Sequence, residues 1–345
     1  MNFFDDVIKD IGKDTAKLSQ SLEKTYTFLD TGSYAFNALC STSIFGGVSD
    51  NKITAIAGAE ATGKTFFALS ICNNFMKQNP KGGVVYFDTE GAITKELLEK
   101  RGMDPTGKQF LSINCLTIEE FRNNAYKILD KYNSQDEEDR QPLIMVLDSL
   151  GNLSSEKETK DIAEGKSIRD MSKAQLIKGA FRVLTQKLSI AKVPLIVLNH
   201  TYDVIGSYVP TKEMGGGSGL KYAATTIVYL SKSQEKEGSE RVGNIIKAKV
   251  VKSRISKENS QIATRLFYDK RGLDKYYGLL ELAEKGGIWK KVSTRYEVDG
   301  KKIYGSEIIK NPEKYFTEEV LKQIDTVAKQ TFSYGNGEST TNDSE

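Results

Sequence analysis

Gly58-Ala59-Glu60-Ala61-Thr62-Gly63-Lys64-Thr65 decides the fold, because it fits the pattern G-x-x-x-x-G-K-[ST] and stands between the right neighbours. The preceding Asn51 to Ala57 holds an apolar run (Ile53, Ala55, Ile56) suited to a buried strand, and Phe66 to Phe75 continues with helical spacing. Strand, glycine loop and helix in that order make a phosphate cradle. The glycines let the main chain turn tightly around an anion, and the helix start adds positive potential. Lys64 then meets β/γ oxygens and the Thr65 hydroxyl ligates Mg²⁺. A glycine turn that merely caps a helix is the plain alternative, and the flanking strand and helix argue against it. The eight quoted residues and Phe66 form the candidate nucleotide-binding set.

Outward from the loop, Val84-Val85-Tyr86-Phe87 reads as a buried parallel strand with Asp88-Thr89-Glu90 at its carboxyl end, followed by a helix from Thr94 to Lys100. Chemistry collects at strand C-termini in open α/β sheets, so Glu90 is the candidate for polarising an attacking water. Leu143 to Leu147 is a second apolar strand. It ends in Asp148-Ser149, the layout of a Walker B aspartate in the Mg²⁺ shell. A third run, Val193 to Leu198, ends in Asn199-His200 and places the sole histidine where a γ-phosphate would be sensed. An ordinary hydrogen-bonded surface histidine is the alternative. Lys247 to Arg254 alternates like a strand, so Lys252 and Arg254 share one face about 7 Å apart and address one phosphate group. An edge strand carrying Lys247 and Lys249 against aggregation fits the same pattern. Repeated strand and helix alternation predicts a mostly parallel sheet covered on both faces.

Two segments leave the nucleotide edge of that sheet without core character. Residues 154–172 are dense in mixed charge, and residues 203–219 carry Gly206, Pro210 and Gly215-Gly216-Gly217-Ser218-Gly219. Lys157, Lys160, Lys166, Arg169 and Lys212 are placed to meet phosphates, and Gly215, Gly216 and Gly217 give backbone amides close approach to a polyanion. On charge pattern alone a solvated loop is favoured. Residues 1–25 put Phe4, Val7, Ile8, Ile11, Leu18 and Leu22 on one helical stripe, which packs either on its own core or on a neighbouring subunit. Thr31-Gly32-Ser33 opens a short helix, and Gly46-Gly47 marks a turn. Past residue 275, a helix start at Gly278 to Leu282, a small hairpin that begins at Gly286 to Trp289 and a helix over Phe316 to Ala328 form a compact satellite domain. The polar tail beyond Phe332 is expected to be disordered.

Composition sets the class. The 345 residues, 39% hydrophobic and 28% charged, suit a soluble globular protein, and a net charge of only +3 restricts any nucleic-acid affinity to local basic clusters. No apolar run approaches the roughly 18 residues that span a bilayer. The N-terminus lacks a signal-peptide layout, so a cytoplasmic protein is expected. Cys40, Cys72 and Cys115, widely spaced among apolar neighbours, read as reduced core thiols, and one histidine leaves little material for a zinc centre.

Taken together, these motifs resemble the RecA recombinase family, most closely its phage branch, the UvsX recombinases. The resemblance runs from about Leu29 to about Pro312. It is carried by Gly58 to Thr65, Tyr86 to Glu90, Leu147-Asp148-Ser149-Leu150-Gly151-Asn152-Leu153 and Leu198-Asn199-His200-Thr201-Tyr202, and by Met214 to Gly219 and Gly278 to Leu282. It implies a RecA-like P-loop ATPase core over residues 31–274, a helical oligomerisation segment over 1–30, a small C-terminal α+β domain over 275–332 and an acidic tail over 333–345. It also implies ATP and Mg²⁺ held between subunits of a helical filament on single-stranded DNA, in the host cytoplasm if phage-encoded. Homologous double-stranded DNA, a single-strand-binding protein and a loading mediator are the further partners implied. Residues 154–172 and 203–219 match the family's two DNA-binding loops, Lys252 and Arg254 its cations that reach the neighbour's γ-phosphate, and His200 its nucleotide-to-DNA switch. Leu97 stands where the family carries a tyrosine that stacks on adenine, which implies looser base selectivity. A ring-shaped RecA-fold helicase and a non-catalytic ATP-binding recombination mediator are the rival functions.

Overall fold

The computed structural model describes residues 3–12, 27–166, 171–203, 212–237 and 239–335. The chain begins with α1 (Phe3–Ile11), β1 (Phe28–Leu29), α2 (Tyr34–Ser41) and β2 (Val48–Ser49). Strands and helices then alternate through β3 (Ile53–Gly58), α3 (Lys64–Gln78), β4 (Gly83–Asp88), α4 (Lys95–Lys100), β5 (Phe110–Asn114) and α5 (Ile118–Asn133). Next come β6 (Leu143–Asp148), α6 (Glu156–Ala163), α7 (Lys173–Ala191) and β7 (Leu195–Asp203). They are followed by β8 (Lys212–Met214), α8 (Ser218–Ala223), β9 (Thr226–Glu237), β10 (Glu240–Ser253) and β11 (Gln261–Phe267). The C-terminal part holds α9 (Leu279–Lys285), β12 (Lys290–Val292), β13 (Arg295–Val298), β14 (Lys301–Tyr304), α10 (Gly305–Lys310), α11 (Pro312–Tyr315) and α12 (Glu318–Phe332).

The main sheet runs β11-β10-β9-β3-β7-β6-β4-β5, with β8 added to β7. Neighbours from β9 to β5 are parallel, as the sequence predicts, and β10, β11 and β8 join antiparallel. Strands covered on both faces send alternate side chains to two separate cores. Ile56, Tyr86 and Val146 enter one core, while Ala57, Phe87 and Leu147 enter the other. The first core is completed by α2 and α3 through Phe36, Leu39, Phe67 and Ile71. The second is completed by α5 (Ile118, Phe121, Ala125, Leu129) and α7 (Ile177, Phe181, Leu184, Leu188), whose spacings of three and four make one apolar stripe per helix.

Several local expectations change. The strand expected to stop before His200 runs on to Asp203, because Thr201 to Asp203 pair with Lys212 to Met214. Within 154–172, residues 156–163 are helical, nucleated by a capping box in which Ser155 and Glu158 satisfy each other's backbone amides. β10 lies between β9 and β11, so Lys247 and Lys249 do not guard an edge. Gly286 to Trp289 leads into a three-stranded sheet, β12-β13-β14, and the last helix starts at Glu318 behind the Thr317 cap. Leu279, Ala283, Trp289, Ile324 and Ala328 share the core of Phe36 and Ile71. Phe316 stacks on Tyr276 at 5.8 Å and meets Trp289 at 5.1 Å. Of the N-terminal stripe, Phe4, Val7, Ile8 and Ile11 fall on α1, while Leu18 and Leu22 lie outside the described residues. All three cysteines are buried, and burial pushes the Cys72 thiol up to about 12. No helix among the described residues is long and apolar enough to cross a membrane.

Candidate nucleotide-binding site

β3 delivers its last residue, Gly58, between β7 and β9. A Cβ there would stand 2.8 Å from the Leu230 carbonyl oxygen and from Thr62 Oγ1, so the loop's first turn requires glycine. Gly63, at φ 88°, turns the chain into α3. Lys64 follows, only 7% exposed. Its ammonium donates to the carbonyls of Gly58 (3.2 Å) and Ala59 (3.0 Å). Burial lowers the Lys64 pKa, and Asp148 and Glu90 oppose that shift.

Register brings the acids to the same place: Asp88 and Asp148 are paired at the ends of β4 and β6. Asp148 Oδ2 accepts from Thr65 Oγ1 and from the Tyr86 hydroxyl, each at 2.7 Å. Burial raises the Asp148 pKa, and these two donors pull it back. Asp88 accepts from the amides of Glu90 (3.1 Å), Ala92 (3.2 Å) and Ile93 (2.9 Å), which shapes the turn that presents Glu90. Glu90 Oε1 accepts from Asn152 Nδ2 at 2.5 Å and lies 3.9 Å from His200 Nε2, while His200 Nδ1 lies 3.5 Å from Lys64 Nζ. A polar chain therefore runs Lys64, His200, Glu90, Asn152. It joins the phosphate loop to β7 and to the turn Leu150–Asn152 that leads into the 154–172 segment.

These groups line a cavity of about 730 Å³ that contains Glu60, Ala61, Gly63, Lys64, Thr65, Phe66, Glu90, Asp148 and His200 together. Its walls also include Leu97, which the resemblance placed beside the base, and Lys232, Arg241, Asn244 and Tyr268, which sequence reasoning missed. Tyr268 lies more than 170 residues after Leu97, and only the pairing of β10 with β11 carries it to the site. Its hydroxyl donates to Asn244 Oδ1 at 3.3 Å, and the same oxygen accepts from Arg241 Nη2 at 3.0 Å. The donor set fits a nucleotide with Mg²⁺. A loop that tolerates no Cβ at Gly58 leads to a hydroxyl and one carboxylate already in contact. That suits a cation taking its other ligands from phosphate and water. Among the described residues no group of three His, Cys, Asp or Glu offers a self-sufficient metal cage.

Lys252 and Arg254 are not brought to this cavity. A register shift between Val250 and Lys252 precedes the pair, and past it Ser253 is buried between the more exposed Lys252 and Arg254, so the two keep one face. Lys252 Nζ instead caps α8, donating to the carbonyls of Lys221 (2.5 Å), Tyr222 (3.3 Å) and Ala224 (2.9 Å). Burial lowers its pKa, and the neighbouring Arg254 lowers it further. Arg254 is exposed just past β10. Lys157 and Lys160 sit three apart on α6, Lys166 pairs with Glu164, and Lys212 is exposed on β8. Arg169 and residues 204–211 lie outside the described residues. The Gly215 amide donates to the His200 carbonyl at 3.1 Å, and its own carbonyl accepts from Asn199 Nδ2 at 2.8 Å. The glycine segment is thus tied to the histidine strand, and that amide is already used.

Residues 2–274 match the family model described as RecA N-terminal domain. Over 253 residues the chain is 33% identical to the "Recombination and repair protein" of Enterobacteria phage T4, covering 73% of this chain and 62% of that protein's length. It is 24% identical over 333 residues to "Protein RecA" of Arthrobacter sp. (strain FB24), covering 95% and 89%. With "DNA repair protein recA homolog 3, mitochondrial" of Arabidopsis thaliana the identity is 25% over 285 residues, covering 81% and 62%.

Proposed function

Because the chain belongs to the RecA family, we propose that it is a recombinase: a single-stranded-DNA-dependent ATPase that assembles as a helical filament and exchanges strands with a homologous duplex. The phosphate loop, Thr65 and Asp148 hold ATP with Mg²⁺, which supplies charge neutralisation at the phosphoryl oxygens. Lys64 leaves its loop carbonyls for the β/γ oxygens. Glu90, oriented by Asp88 and Asn152, aligns the attacking water. The base lies toward Leu97 and Tyr268, so Tyr268 offers the aromatic face that Leu97 does not.

Lys252 and Arg254 of an adjacent copy offset the charge that develops on the transferring group, and the two strand-end segments face DNA. α1 docks on the adjacent copy. Sequence is read by base pairing between strands, while the protein contributes backbone contacts. A single-strand-binding protein and a loading mediator complete the partners, in the host cytoplasm.

The observation that carries this reading is the chain Lys64, His200, Glu90, Asn152, which links phosphate recognition to both strand-end segments. Binding at one end is thereby coupled to binding at the other. Its test is ATP hydrolysis with and without single-stranded DNA across a salt series. Stimulation by DNA that fades steeply with salt is expected. Salt-independent turnover indifferent to DNA would remove the proposal.

A further inference from the structure

Arg101 closes α4, and its side chain is only 3% exposed. A buried guanidinium is costly unless acceptors converge on it. Here three consecutive carbonyls do: Nη1 donates to Phe267 at 2.8 Å and reaches Asp269 at 3.5 Å, and Nη2 donates to Tyr268. The guanidinium plane lies over the Phe66 ring, 4.1 Å from its centroid. Asn73 Nδ2 donates to the Arg101 carbonyl at 2.9 Å and fixes the root of the side chain on α3. One side chain therefore clamps the residue after the phosphate loop, the helix that carries Leu97 and the turn that carries Tyr268.

We infer that Arg101 is a positioning residue that holds the Tyr268 turn as the base-side wall of the nucleotide cavity. The geometry separates its role from that of the phosphate loop, since its hydrogen bonds go to the turn and none goes toward Lys64 or Asp148. Filling the same space would need only an apolar residue. The two terminal nitrogens of a planar guanidinium are what hold three carbonyls in one arc. Losing them frees Tyr268 and weakens affinity for the base while leaving affinity for the phosphates. This rests on the reading that the base lies toward Tyr268.

The experiment is titration calorimetry of the full chain with Mg²⁺ and either ATP or inorganic tripolyphosphate, for the parent, Arg101→Met, Arg101→Lys and Tyr268→Ala. Arg101→Met should weaken ATP about tenfold, the scale of one lost base-aromatic contact, and leave tripolyphosphate within about twofold. In hydrolysis assays KM should rise while kcat at saturation stays level. Arg101→Lys, one ammonium against three carbonyls, should weaken ATP about threefold. That variant decides the matter if Arg101→Met loses its cooperative melting transition. Equal weakening of both ligands, or of neither, would overturn the role of Arg101. If Tyr268→Ala leaves the ratio of the two affinities unchanged, the base-site reading itself fails. If Tyr268→Ala shifts the ratio and both Arg101 variants do not, only the positioning role fails.

Discussion

At the phosphate end of the cavity each candidate side chain is held by its own subunit. Around β10 and beyond β6 and β7, the cations proposed to act on a neighbour or on DNA face away from it. Thr65, Tyr86 and Asp148 form one buried hydrogen-bonded set, and Lys64 rests inside its loop. Lys252 is occupied by the carbonyls of α8, Arg254 is exposed, and Lys160 and Lys212 point into solvent. On the proposed reading, one copy assembles the half that would bind a triphosphate. The half that completes the chemistry would come from a second copy, with a nucleic-acid strand bridging them.

Lys64→Ala tests the self-contained half. It should lower hydrolysis at least about 10³-fold with or without DNA, and a variant that keeps DNA-stimulated turnover would contradict the assignment. Lys252→Ala tests the outward half. Turnover should fall about 10²- to 10³-fold while nucleotide affinity of the single chain holds. Mixing it with Glu90→Ala subunits should then restore part of the activity, because mixed interfaces of one of the two polarities pair an intact Glu90 with an intact Lys252. A mixture no better than its components would show that the site is not shared.

Asn152→Ala probes the link between halves. Removing a hydrogen bond to a charged carboxylate should cut kcat roughly fivefold at unchanged KM. An increase in DNA-independent turnover would mean that Asn152 restrains Glu90 instead. The smallest effect belongs to Lys160→Ala, which should weaken single-stranded DNA binding about twofold to threefold at low salt and reduce the salt slope by about one. An unchanged slope would take α6 out of the DNA surface.

The same division explains what could be read from the chain. The phosphate loop and strands β3, β4 and β6 are legible because each is a short apolar run ending in chemistry, and period-two burial leaves that run unbroken when both faces are covered. The helix in 156–163 carried a readable signal, Ser155 followed three residues later by Glu158, hidden under its mixed charge. Arg101, Arg241, Asn244 and Tyr268 carried none. Their roles depend on which strands become neighbours across more than a hundred residues, and local spacing holds no record of that. Lys252 keeps the alternation with Arg254 that its spacing implied, but its contact with the carbonyls of α8 was not legible, because only the fold brings residues 221–224 to it.

The central claim is that a triphosphate held at the meeting of two copies makes them grip a nucleic-acid strand together. Sedimentation velocity of the full chain with excess Mg²⁺, a slowly hydrolysed ATP analogue and a long oligothymidylate measures this directly. Many copies on each oligonucleotide with the analogue, and far fewer with ADP, are predicted. A chain that stays monomeric with both ligands in excess, or that loads the oligonucleotide equally without nucleotide, would contradict it.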